Sequence, residues 1–136
     1  MLLIIDTNVL IAGLLRDSTV RRLLLLPAAE FLVPEHALEE IRSHKPTLLR
    51  RSGLAEPAFD ALFAGILERV TVVPEAEVQH RAEADRIMAG IDLNDAVFIA
   101  LALSVPNDGI WSDDAGFQRQ TAVKAWRTKD ILDMLG

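Results

Sequence analysis

Acidic residues recur at points where the chain changes character. Asp6 closes the apolar run "LLII", Glu39 and Glu40 sit together in "LEEIRS", Asp92 and Asp95 open "DLNDAVFIALAL", and Asp113 with Asp114 follows "IWS". Two carboxylates about 4 Å apart repel each other by about 4 kcal/mol at an effective dielectric near 20. A cluster of such groups must therefore take up protons or bind cations. Oxygen donors with open positions suit Mg2+ or Mn2+, hard ions that keep several waters. Two such ions about 4 Å apart can activate a water and stabilise the entering and leaving oxygens of an in-line phosphoryl displacement.

Taken singly, each acid has a structural explanation. Asp6 is a good N-cap, a role that contributes about 1 kcal/mol through otherwise unpaired amides. Glutamates on helices are mostly solvated. "DLND" reads as a cap followed by a first-turn acid favoured by the helix dipole, and Asp114 in "SDDAG" suits a turn. The joint pattern points to a site because three of the positions fall at element junctions beside strongly apolar sequence.

The elements that would position them alternate. "LLIID" reads as a short buried strand and "TNVLIAGLL" as the following helix, because apolar residues stop alternating and recur at helical spacing. "DSTVRRLLLL" begins with capping residues and predicts a second helix ending at Pro27, and "EFLVP" predicts a strand. "PEHALEEIRSH" predicts a helix with Pro34 at its first position. Residues 47–68 read as two helices broken by Gly53 and Pro57. "VTVVP" is a strand, "EAEVQHRAEADRIMAG" a charged helix closed by Gly90, and "DLNDAVFIALALSV" an apolar helix. "GIWS" and "AVKAW" are strands, and "RTKDILDML" is a closing helix. This order predicts one α/β domain over residues 1–136, a three-layer α/β/α sandwich with a mostly parallel central sheet. Ligands of such sheets bind beyond the carboxyl ends of the strands, where Asp6 and Asp113/Asp114 fall.

With 136 residues, 51% of them hydrophobic, the chain is long enough for one real core. It has no cysteine, which excludes thiolate chemistry and cysteine-bound zinc. No apolar run approaches the roughly 20 residues of a membrane span, and the start lacks a basic leader with a cleavage site, so the expectation is a cytoplasmic protein. The net charge of −6 argues against a generic DNA-coating protein, although bound cations would cancel a local acidic excess. Arg16, Arg21, Arg22, Arg42, Lys45, Arg50 and Arg51 are expected on solvated helix faces. The glycines form neither a dinucleotide fingerprint nor a phosphate loop. His36, four residues before Glu40, is expected at the surface or supporting Glu40, since no further histidine spacing supports zinc. Met88, Met134 and Trp111 read as core, and Trp126 as either packed or stacked.

In order and spacing, "IIDTNVLIA", "LEEIRS", "DLNDAVFIALAL" and "IWSDDAGF" resemble the four acidic motifs of PIN-domain nucleases, a family that includes toxins of bacterial VapBC-type toxin–antitoxin pairs. The resemblance spans nearly the whole chain. It implies a metal-dependent ribonuclease binding Mg2+ or Mn2+, with Asp6, Glu40, Asp95 and Asp114 as catalytic acids and Asp6, Asp95 and Asp114 as metal ligands. Thr7, Asn8, Asp92, Ser112 and Asp113 fall in supporting positions, Thr7 and Asn8 as residues that orient Asp6. Glu39 competes with Glu40, since one helical step turns a side chain by about 100 degrees; the place before apolar Ile41 favours Glu40. The toxin branch further implies an RNA substrate, single-stranded or structured, a homodimer and a small antitoxin partner, for which the leucine-rich helices between residues 18 and 49 would offer surface. The alternatives are a non-catalytic RNA- or protein-binding module of the same fold and a metal-dependent phosphatase.

Overall fold

The computed structural model describes residues 1–15 and 18–135; the basic Arg16 and the helix-starting Asp17 lie outside the described residues. Five parallel strands form one sheet in the order β3-β2-β1-β4-β5. They are β1 (Leu2–Ile5), β2 (Glu30–Pro34), β3 (Val70–Val73), β4 (Ile110–Trp111) and β5 (Ala125–Trp126). Leu3, Ile4 and Ile5 of β1 are fully buried, as expected of a parallel strand covered on both faces. The register sets Ile4 beside Leu32 on one side and beside Ile110 on the other.

The chain builds β1, β2 and β3 outward in one direction and then returns to add β4 and β5 on the opposite side of β1. That reversal leaves a crevice between the carboxyl ends of β1 and β4, where sheets of this kind place their ligands.

Helices flank the sheet. In chain order they are α1 (Thr7–Leu15), α2 (Ser18–Leu25), α3 (Glu35–Ser43), α4 (Lys45–Ser52), α5 (Glu56–Leu67), α6 (Arg81–Met88), α7 (Ala96–Ser104), α8 (Ala115–Gln118) and α9 (Thr128–Leu135). The apolar α7 packs on β1 and β2 and pairs with α6, whereas α1 packs against α2, α3, α4 and α5. Aromatic contacts tie the layers together, Phe31 lying 5.8 Å from Trp111 and Phe98 meeting Phe117 edge-on at 6.0 Å.

Several expectations need correction. Pro34 does not start α3. Its ψ of 149° is extended and it continues the ladder opposite Val73, so the helix begins one residue later. The charged helix expected from residue 75 is only a 3-10 turn (Glu75–Glu77) until α6. The Ser104 hydroxyl accepts from the Gln79 amide and contacts its carbonyl oxygen, Val78 is buried, and His80 is left-handed at φ 61°. Contacts from a distant segment thus hold residues 78–80 in a non-helical path. The four-residue α8 was not expected at all. Met134 is exposed rather than core. The leucine-rich helices spend most of their apolar surface internally, with Leu23, Leu24, Leu38 and Leu48 buried and Leu25 exposed.

Gly109 enters β4 with φ +130°, and a Cβ there would stand 2.6 Å from the Lys124 carbonyl oxygen and 2.7 Å from Trp126 Nε1. Backbone strain and overpacking act together at this position, so Gly109→Ala is expected to destabilise the fold by about 2 kcal/mol or more in urea unfolding. An unchanged unfolding midpoint would contradict the close approach.

Candidate active site

Asp6 is the first residue beyond β1, and the apolar strand draws it to 2% exposure. Its backbone amide donates to the Trp111 carbonyl (3.1 Å), locking the end of β1 to β4. Its side chain has two partners. The Asn8 backbone amide donates to the carboxylate, as in a helix N-cap, and Ser112 Oγ donates to Oδ2 at 2.8 Å. Asp6 is therefore a cap whose Oδ2 is held from just beyond the neighbouring strand. Burial raises its pKa; the hydrogen bonds from Ser112 and the Asn8 amide oppose this, and the negative charges of Asp114 and Glu40 add to it.

Glu40 reaches the same region from the second turn of α3. Thr7 Oγ1 donates to Glu40 Oε1 at 3.0 Å, and His36 Nε2 lies 3.2 Å from the same oxygen, an ion-pair distance when the imidazole is protonated. Glu39 is exposed. Of the adjacent glutamates, Glu40 is the one engaged with the site. Thr7 does not orient Asp6 as the motif implied; its hydroxyl holds Glu40, and it is the Asn8 amide rather than its exposed side chain that serves Asp6.

Asp95 closes a 3-10 turn (Leu93–Asp95) that leads into α7, while Asp92 caps that turn by accepting from the Asn94 amide at 3.0 Å. Burial pushes the Asp95 pKa from 3.8 to about 7, with the charges of Asp6, Asp92, Asp114 and Glu40 adding to the rise. Acids from four separate segments thus feel one another.

Past β4, Ser112 has a second role, accepting from the Asp114 amide at 3.0 Å. Asp114 Oδ1 accepts from the Gly116 amide at 2.9 Å, capping α8. Asp113 turns elsewhere. Its Oδ1 accepts from the Thr128 amide at 2.7 Å and its Oδ2 from the Thr128 hydroxyl, so its side chain is anchored at the start of α9.

A cleft of about 280 Å³ lies here, lined by Asn8, Val9, Ala12, Asp113 and Asp114. Among the described residues no Lys or Arg forms an ion pair with Asp6, Glu40, Asp95 or Asp114. Also among the described residues, no three His, Asp or Glu side chains close on one point as a preformed ligand cage. The donor set still fits a hard divalent cation. It consists of carboxylate oxygens, two of which have raised pKa values without a compensating basic side chain, and such ions tolerate sparse protein ligation because water fills their remaining positions. Sequence reasoning did not anticipate the Thr128 anchor of Asp113, which joins residues 15 positions apart and leaves no local signature.

A family model described as PIN domain matches residues 4–135. No curated protein matches significantly. Among solved structures, a chain of VapBC2 from Rickettsia felis, bound to a DNA fragment from their promoter, superposes with a TM-score of 0.66 at 13% identity. The match covers 93% of this chain and 98% of that one, and at this identity it shows the shared fold.

Asp95 supplies a test of the electrostatics. A carboxyl whose pKa is raised by folding binds more protons folded than unfolded, so its stabilising contribution is complete below the ordinary aspartate value and is lost as pH rises through about 7. The metal-free protein should therefore melt at a lower temperature near pH 8 than near pH 5, and Asp95→Asn should raise the melting temperature near pH 8 and flatten this slope. A slope unaltered by the substitution would show that Asp95 is not under electrostatic pressure.

Proposed function

The chain belongs to the PIN-domain family, whose members are generally nucleases, and on that premise we propose that it is a Mg2+- or Mn2+-dependent endoribonuclease. One observation supports this most strongly: Asp6, Glu40, Asp95 and Asp114, drawn from four parts of the chain, repel one another at the carboxyl edge of the sheet, with no Lys or Arg paired to them among the described residues. Such a centre must either hold protons or gain a cation.

In this reading Asp6, Asp95 and Asp114 hold the ion or ions. When bound, a hard divalent ion supplies charge compensation, lowers the pKa of water and offsets charge developing on the phosphate. The chain's own residues do the rest. Ser112 fixes Asp6 Oδ2, the Asn8 amide fixes the carboxylate from the helix side, and Asp114 is set by its cap on α8. Glu40, anchored through Oε1 by Thr7, keeps its other oxygen available to accept a proton from the attacking water. The cleft beside Asn8 and Asp114 admits the phosphodiester, and recognition of RNA would rest on backbone and shape.

The fold shared with a chain of the VapBC2 complex supports extending the proposal to a toxin-like role with a small antitoxin partner; the homodimer is proposed on the family resemblance alone. No helix among the described residues is long and apolar enough to cross a membrane. A second reading, a non-catalytic RNA- or protein-binding module of the same fold, calls for binding without turnover.

The deciding experiment incubates purified protein with fluorescent single-stranded RNA and Mn2+. Cleavage should vanish with EDTA, and Asp6→Asn should lower the rate by about 100-fold or more. Equal cleavage by the Asp6→Asn variant would remove the assignment, and tight RNA binding without cleavage would select the second reading.

A further inference from the structure

Residues 112–114 carry two of the site's groups yet form no regular structure. Ser112 holds Asp6, and Asp114 leads into α8, a helix of only four residues (Ala115–Gln118). So short a helix cannot order itself, because nucleation fixes several backbone angles for little hydrogen bonding. Something outside it must hold Asp114 in place.

Phe117, fully buried and edge-on to Phe98, pins the far side of α8. The near side is pinned through Asp113. Thr128 donates its amide to Asp113 Oδ1 and its hydroxyl to Oδ2, occupying both oxygens. The same hydroxyl accepts from Nε1 of the buried Trp111 at 3.0 Å. Thr128 is itself fixed at the start of α9, where the preceding amide, that of Arg127, donates to Asp130 Oδ2 at 2.9 Å. The chain of contacts from Trp111 through Thr128 to Asp113 thus brackets Ser112 and fixes the residue directly before Asp114.

We propose that Thr128 is a positioning residue for the acidic centre, acting through Asp113 to hold Asp114 and Ser112 in register with Asp6. This rests on the nuclease reading for its catalytic consequence and on the clamp geometry for its structural one. A hydroxyl at residue 128 is essential because it accepts from Trp111 and donates to Asp113 at once. A methyl group in its place leaves a buried indole N–H unpaired and frees one oxygen of the exposed Asp113 carboxylate from its anchor. Supporting residues of this kind matter for ion affinity as well as rate, since a ligand free to wander must be ordered upon binding.

The test uses the full chain as wild type, Thr128→Val, Thr128→Ser and Asp113→Asn, with Mn2+ affinity by titration calorimetry, kcat and KM on fluorescent single-stranded RNA, and melting temperature. Thr128→Val is expected to weaken Mn2+ binding about tenfold and lower kcat about tenfold with KM unchanged, and Thr128→Ser to restore both to within about threefold. If Thr128→Val does not fold, Asp113→Asn supplies the same readout: its Oδ1 still accepts the Thr128 amide, whereas its amide nitrogen cannot accept the hydroxyl. Variants that melt earlier but keep wild-type Mn2+ affinity and kcat overturn the proposal, leaving the clamp a fold anchor only. So does a Thr128→Ser variant as impaired as Thr128→Val. A wild type that binds Mn2+ but never cleaves RNA overturns the nuclease reading instead, while the Mn2+ affinities of the variants still report on the clamp.

Discussion

Everything at this sheet edge follows from burying Asp6 between two parallel strands. A carboxyl group at 2% exposure is tolerated only with hydrogen-bond donors and either a bound proton or a compensating charge. The donors come from both sides of the crevice, the Asn8 amide at the start of α1 and the Ser112 hydroxyl beyond β4. The compensating charge does not come from a basic side chain among the described residues. Strand order, the crevice at the reversal and the polarity of α1 all serve to hold one acid where its neighbours raise its pKa rather than relieve it.

The same local device is used three times with different results. Asp6, Asp92 and Asp114 each cap the start of a helical segment. Capping consumes at most part of a carboxylate, so a cap and a cation-binding oxygen are compatible in one residue. Asp113 shows the contrasting case. Both of its oxygens are occupied by Thr128, and although it lines the cleft, it does not figure among the charges that raise Asp6 or Asp95. Two adjacent aspartates, alike in sequence, are separated in role by what their side chains meet.

Much of the architecture could be read from the residues. Apolar runs bounded by Pro, Gly and acids marked all five strands, and their alternation with helical periodicity called for parallel pairing. The failures were local and share a cause. Residues 75–80 have helical composition, but Ser104, from α7, engages the backbone of Gln79. The helix α8 is too short to show periodicity and exists because Phe117 has a buried place beside Phe98. Met134 has a core-like side chain on an exposed face of α9.

The sequence by itself determined which residues are acids, that they stand at element junctions, and that strands and helices alternate, because composition and periodicity are properties of neighbours along the chain. Strand order, and with it the meeting of Asp6 with Ser112 across 106 positions, belonged to the tertiary structure. So did the choice of Glu40 over Glu39 for contact with Thr7, and the diversion of Asp113 to Thr128. Those outcomes depend on distances and directions between segments far apart in the chain, and only packing around the shared core sets them.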